Sequence, residues 1–128
     1  MILVDTNVLI AMLRATDQKI ASLLRTESAA PCGIVKAELL QGARTIKERT
    51  EIMTLLGTLA SVPIPESMWE EVGDNLARLR KLGLRLPLPD VTIATLAVAL
   101  NVELWSRDAH FFQAQIAIPS LRLFIEPP

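Results

Sequence analysis

The chain has 128 residues, 51% hydrophobic and 21% charged, with a formal net charge of −1. That length suits one ordinary domain, read here as a single domain over 1–128, able to bury a core without disulfides or a structural metal. No apolar run reaches the ~18 residues of a membrane span, no signal-peptide pattern opens the chain, and the lone cysteine, Cys32, excludes an internal disulfide and a cysteine-built zinc site.

Ile2–Val4 is an apolar run of the kind that fills a buried parallel strand. Asn7–Arg14 places Val8, Leu9, Met12 and Leu13 at helical spacing. Asp17–Glu27 sets Ile20, Leu23 and Leu24 on one helix face, with Thr16 as the expected N-cap. Ala29–Cys32 predicts a short strand ending near Gly33. Ile34–Ala43 reads as a helix; Gly42 inside it costs ~1 kcal/mol relative to alanine, which points to a close helix contact. Thr45–Gly57 is the next helix, stopped at Gly57. Ser61–Ile64 is a short strand with an edge-type proline. Glu66–Leu82 is a long helix with Met68, Trp69, Val72, Leu76 and Leu79 as its apolar stripe, ended by Gly83. Leu84–Leu88 is a loop, and Pro89 suits the first position of a helix running to Leu100. Glu103–Ser106 and Arg122–Phe124 complete the strands. Trp69 and Trp105 are assigned to the core or to an interface, and Cys32 to the small buried apolar residues. The alternation predicts an α/β fold, a three-layer α/β/α sandwich around a mainly parallel sheet of four to five strands.

Four acids fall on one edge of this scheme. Asp5 ends the first strand, Glu38 lies about one turn into the helix after Ala29–Cys32, Asp90 is in the first turn of its helix, and Asp108 follows strand Glu103–Ser106. In right-handed crossover units a strand's C-terminal end and the next helix's N-terminal end share one edge. That carboxyl edge is where open α/β sheets hold ligands. Converging carboxylates repel and raise one another's pKa values unless a cation compensates. An oxygen-only donor set, with no nearby cysteine and no well-placed histidine, favours Mg²⁺ or Mn²⁺ over zinc and suits phosphodiester hydrolysis. A net charge of −1 is not the basic signature of a nucleic-acid binder. With the four acids neutralised by metal, however, the remaining surface is net positive.

Each acid alone has a plainer reading. Asp5 and Asp108 could cap the helical segments that follow them, Asp90 could complement a helix dipole, and Glu38 could face solvent, although Ala37, Leu39 and Leu40 leave little polar face there. None of these readings predicts the shared edge. Glu48, Glu51, Glu70, Glu71 and Asp74 read as solvated helix faces, and His110 as a surface residue rather than a metal ligand. Arg78, Arg80, Lys81 and Arg85 form the densest basic cluster, either a solvated helix end or a phosphate-binding rim.

Taken together, VDTNVLI at 4–10, KAELLQGA at 36–43, PDVTIATLAVALNVELWSRDAHF at 89–111 and LRLF at 121–124 resemble the PIN domain, and within it the VapC toxins of toxin–antitoxin pairs. The resemblance covers essentially the whole chain. It implies a PIN-like fold and a Mg²⁺- or Mn²⁺-dependent endoribonuclease in which Asp5, Glu38, Asp90 and Asp108 are catalytic and metal-binding. It further implies that Thr6, Asn7 and Ser106 orient them, and that the substrate is RNA, with transfer or ribosomal RNA expected. Arg107 stands where relatives often have asparagine or another polar residue, and is a candidate substrate contact with the 78–85 cluster. The stretch AHFF after Asp108 lacks a further acid that relatives often carry. A homodimer and a VapB-like antitoxin are implied as partners, with Leu9, Met12, Leu13 and Leu24 as candidate contact surfaces, in a cytoplasmic protein. The alternatives are a catalytically silent module of the same fold and a phospho-receiver domain. The latter is disfavoured because no Asp lies between Asp17 and Asp74. A haloacid dehalogenase-type phosphatase would want Asp where Asn7 stands.

Overall fold

β1 (Ile2–Val4) is the middle strand of the sheet, and all three of its residues are buried, so a continuous apolar run encodes it rather than an alternating one. The structure, a computed structural model, describes residues 1–15 and 17–128. β1 pairs in parallel with β2 (Ala29–Ala30) on one side, Ile2 opposite Ala29, and with β3 (Leu104–Trp105) on the other, Leu3 opposite Leu104. The order is β2-β1-β3. Outside this ladder, Cys32 makes an isolated parallel bridge to Val62, and Leu104 makes one to Leu123.

The sheet therefore has three strands among the described residues, not four to five. Ser61–Ile64 and Arg122–Phe124 lie along its two edges, each through a single bridge. Pro63 beside Val62 has no N–H to donate, which keeps that segment from extending the ladder. Leu104 N–H donates to Arg122 O and Phe124 N–H to Leu104 O, which pins the last segment at one residue pair.

Helices cover the two faces. α1 (Thr6–Ala15), α2 (Gln18–Thr26), α3 (Gly33–Gln41) and α4 (Ile46–Gly57) pack as one group, and α5 (Trp69–Lys81), α6 (Leu88–Leu100) and α7 (His110–Ala117) as another. α6 is buried at every position from Val91 to Ala97, which explains why its sequence is apolar all round. Asn101 ends it in the left-handed conformation, φ 55°, which Asn tolerates better than most residues. Asp17 caps α2 through its side chain; Thr16 lies outside the described residues. Among the described residues no helix is long and apolar enough to cross a membrane.

Several expectations change. Gly42 is the C-cap of α3 rather than an interior residue, and a methyl group there would meet only Leu39 O at 3.5 Å and Glu38 O at 3.8 Å in its own helix, so no close helix contact explains it. The long helix from Glu66 begins as a 3₁₀ turn, Glu66–Met68. Trp69 is 40% exposed, because the inward stripe of α5 runs through Val72, Asn75 and Leu79. The buried Asn75 is satisfied by donating to Thr95 Oγ1 at 2.9 Å. Trp105 and Cys32 are buried as expected. Leu9 and Leu24 are also buried, so neither offers a partner surface; Met12 and Leu13 remain partly exposed. Glu48 faces solvent yet works as a cap: its N–H bonds Thr45 Oγ1 and its carboxylate accepts from Arg44 N–H, in the manner of a capping box.

Candidate active site

Asp5 continues the ladder one residue past β1, its N–H donating to Trp105 O at 2.9 Å. Its carboxylate is thereby fixed at the carboxyl edge and is only 5% exposed. Ser106, the residue after β3, donates from Oγ to Asp5 Oδ2 at 2.7 Å. The same Oγ accepts from Asp108 N–H at 3.0 Å and from Asn7 Nδ2 at 3.2 Å. A hydroxyl has one proton and two lone pairs, so Ser106 is fully used. Asn7 Oδ1 accepts from Arg107 N–H at 3.0 Å, so the turn into α1 and the turn into α7 are tied together.

The other acids reach this edge by their own elements. Glu38, in the second turn of α3, accepts from Thr6 Oγ1 at 2.7 Å. Its neighbour Ala37 is exposed, so the apolar surroundings expected of Glu38 are on one side only. Asp90 sits in the first turn of α6. Asp108 Oδ1 accepts from His110 N–H at 2.9 Å, so the capping role and the edge position coincide. His110 lies at the surface, as predicted, but its Nδ1 is 3.3 Å from Asp108 Oδ1 and 3.8 Å from Asp90 Oδ2. The sequence reading missed that approach. The available signal was position, two residues after Asp108 at a helix start.

These carboxylates press on one another. Burial raises the Asp5 carboxyl above its ordinary range; Ser106 and the Thr6 N–H oppose the rise, while Glu38 and Asp108 add to it. Asp90 is pushed up to about 6, first by burial and then by the charges of Asp5, Asp108 and Glu38, with His110 pulling the other way. Among the described residues no Lys or Arg forms an ion pair with any of the four acids. One ligand atom each from Asp90, Asp108 and His110 lie within 4.8 Å of one another. A donor set dominated by carboxylates fits Mg²⁺ or Mn²⁺.

The predicted basic contacts fare differently. Arg107 turns its guanidinium to Glu126, with Nε and Nη2 each at 2.9 Å from a carboxylate oxygen. Glu126 also accepts from Trp105 Nε1 at 3.1 Å, and the Arg107 hydrogen bond leads in holding its carboxyl below the usual range. Arg78 donates to Asn75 Oδ1 and Ala117 O, bracing α5 against the end of α7. Arg80, Lys81 and Arg85 are exposed and form no ion pair among the described residues. A cleft of about 410 Å³ between α1, α3 and α4 has Glu38 on its wall, an apolar floor that includes Ile10, Leu13 and Ile52, and Arg14 and Arg44 on its rim.

The chain matches the PIN domain family over residues 2–117. Ribonuclease VapC32 of Mycobacterium tuberculosis is 35% identical over 109 residues, 84% of this chain and 85% of that protein. Ribonuclease VapC10 of the same organism is 36% identical over 107 residues, 81% of this chain and 80% of that protein. Among solved structures, VapBC2 from Rickettsia felis bound to a DNA fragment from their promoter aligns with a TM-score of 0.84 at 22% identity, covering 97% of this chain and 98% of that chain. With the predicted fold, the shared edge of acids and these relatives in agreement, the chain belongs to the PIN domain family, among its VapC proteins.

Proposed function

We propose that the chain is a Mg²⁺- or Mn²⁺-dependent endoribonuclease, the toxin of a VapBC-type pair. The observation that carries this reading is the convergence of Asp5, Glu38, Asp90 and Asp108, from separate parts of the chain, with no Lys or Arg paired to them among the described residues. The relatives named ribonucleases support it.

A divalent cation, when bound, supplies Lewis acidity to the phosphodiester and a lowered pKa to water. Asp5, Asp90 and Asp108 would hold it, directly or through water. Ser106 fixes Asp5 through Oδ2 and would keep its carboxylate oriented for the cation. Thr6 likewise fixes Glu38 by Oε1, leaving Oε2 to orient the attacking water and take its proton. The water oxygen bonds to phosphorus in line, the bond to the 3′ oxygen breaks, and that oxygen leaves and is protonated from solvent. Asn7 keeps Ser106 in place.

The proposed substrate class is transfer or ribosomal RNA in the cytoplasm. Exposed Arg80, Lys81 and Arg85 are proposed as phosphate contacts. A VapB-like antitoxin and a second copy of the chain are the proposed partners; relatives have been solved as VapBC complexes, among them VapBC-1 from nontypeable Haemophilus influenzae.

The test compares wild type with Asp5→Asn, purified free of host nucleases, on total RNA in Mg²⁺, in Mn²⁺ and in EDTA. Wild type cuts in metal only, and Asp5→Asn stays folded and silent. Equal cutting by the variant sinks the reading. Mapping RNA 5′ ends after brief expression then identifies the target.

A further inference from the structure

We propose that His110 is itself a metal ligand, its Nδ1 joining Asp90 and Asp108, and that this nitrogen donor tunes the site toward Mn²⁺ over Mg²⁺. The inference rests on the metal-dependent reading above and adds to it a ligand and a metal preference. His110 has no packing reason to face the acids, since its side chain is 53% exposed. Yet Nδ1 lies 3.3 Å from Asp108 and 3.8 Å from Asp90, and the three candidate ligand atoms fall within 4.8 Å of one another. Around an octahedral ion with bonds of about 2.1 Å, neighbouring donors sit about 3 Å apart and opposite donors about 4.2 Å apart. The two His110 distances exceed the neighbouring separation by less than about an ångström.

Two features favour coordination over a simple contact. Asp90 belongs to α6 and His110 to α7, so the imidazole bridges the two segments that carry these acids. Asp108 is already held from two sides, its own N–H by Ser106 Oγ and its Oδ1 by the His110 N–H, so its carboxylate is fixed next to the imidazole. With its proton on Nε2, the imidazole offers Nδ1 as a neutral donor. Mg²⁺ prefers oxygen and retains water, whereas affinity for imidazole rises through the transition series. A nitrogen ligand therefore raises Mn²⁺ affinity more than Mg²⁺ affinity.

The chain has a single histidine, which makes the test direct. Untagged, metal-free, full-length protein is titrated with Mn²⁺ and separately with Mg²⁺, and the Mn²⁺ form is examined by pulsed electron paramagnetic resonance for ¹⁴N coupling from a bound imidazole. Wild type shows the coupling. His110→Asn loses it and binds Mn²⁺ about tenfold more weakly or worse, with a smaller change for Mg²⁺. His110→Asp recovers binding without the coupling and shifts preference toward Mg²⁺. Wild type binding Mn²⁺ with no ¹⁴N coupling, or His110→Asn keeping wild-type Mn²⁺ affinity, overturns the inference and leaves the metal-dependent reading standing. No binding of either ion by wild type overturns both.

Discussion

Ser106 and Asp5, 101 positions apart in sequence, are joined by a 2.7 Å hydrogen bond from Oγ to Oδ2. The bond spans the β1–β3 pair and supplies the side-chain donor to a carboxylate that is almost fully buried. Removing the hydroxyl in Ser106→Ala leaves Asp5 short of a donor, and also leaves Asn7 Nδ2 and Asp108 N–H without their acceptor. A loss of about 1–3 kcal/mol in stability is expected, from denaturant unfolding. Cleavage should fall about 10–100-fold, since supporting groups at metal sites contribute on that scale. Ser106→Thr should recover most of both.

Thr6 does for Glu38 what Ser106 does for Asp5. Thr6→Val preserves the shape but frees the carboxylate to wander. Single-turnover cleavage should slow while metal affinity, measured by titration, stays near wild type. Thr6→Ser should behave as wild type. Equal metal loss and rate loss in Thr6→Val would instead place Glu38 among the direct ligands.

The metal-free protein should become less stable as pH rises. Asp90 is raised from 3.8 to about 6 in the folded chain, so between those values the unfolded chain gives up its proton first and the folded chain keeps it. Fewer protons on the unfolded state means stability falls with pH across that window, by less than the roughly 3 kcal/mol of the full shift because solvent screens this half-buried group. Asp5, also raised, acts in the same direction. Thermal melts in EDTA at pH 5 and pH 7.5 read this out. Saturating Mn²⁺ should reverse the order, because the cation favours the ionised site.

Arg78 and the basic residues near it should separate cleanly. Arg78→Ala removes hydrogen bonds to Asn75 and Ala117 and should lower the melting temperature with little effect on RNA affinity. Arg80→Ala, Lys81→Ala and Arg85→Ala should leave the melt unchanged. Each is expected to weaken RNA binding and to reduce the salt dependence of the affinity by about one unit of slope. An unchanged slope in all three moves the RNA path elsewhere, with the cleft rim at Arg14 and Arg44 the next place to look.

Glu126→Ala should release the Arg107 guanidinium. The pair is partly exposed, 41% and 23% by side chain, so losing it alone should cost less than about 1 kcal/mol, while the buried Trp105 N–H left without its acceptor adds about 1–3 kcal/mol. RNA should bind more tightly at low salt if the freed cation then faces the acidic edge, and Glu126→Ala combined with Arg107→Ala should cancel the gain.

The positions of the acids were legible because they follow from topology. A parallel sheet with short connections sends strand ends and helix starts to one edge, so the chain positions of Asp5, Asp90 and Asp108 sufficed to group them. What the sequence could not yield was direction. Nothing in the order of residues says that Arg107 turns away to Glu126, that Trp69 falls off its stripe, or that His110 turns its ring toward two carboxylates. These depend on side-chain rotamers and on contacts between distant segments. The sheet was over-read for a related reason: Val62 and Leu123 are strand-like in composition, but each forms a single bridge.

The central strand comes from the first residues and its neighbour β3 from beyond residue 100, with β2 and the six helices α1 to α6 between them. The site consequently has no local existence. A fragment carrying Asp5 without β3 has no Ser106 to receive it, and one carrying Asp90, Asp108 and His110 without β1 has no floor. Assembly of the acidic edge and global folding are thereby made one event: the chain between β1 and β3 must close before Asp5 and Ser106 can meet.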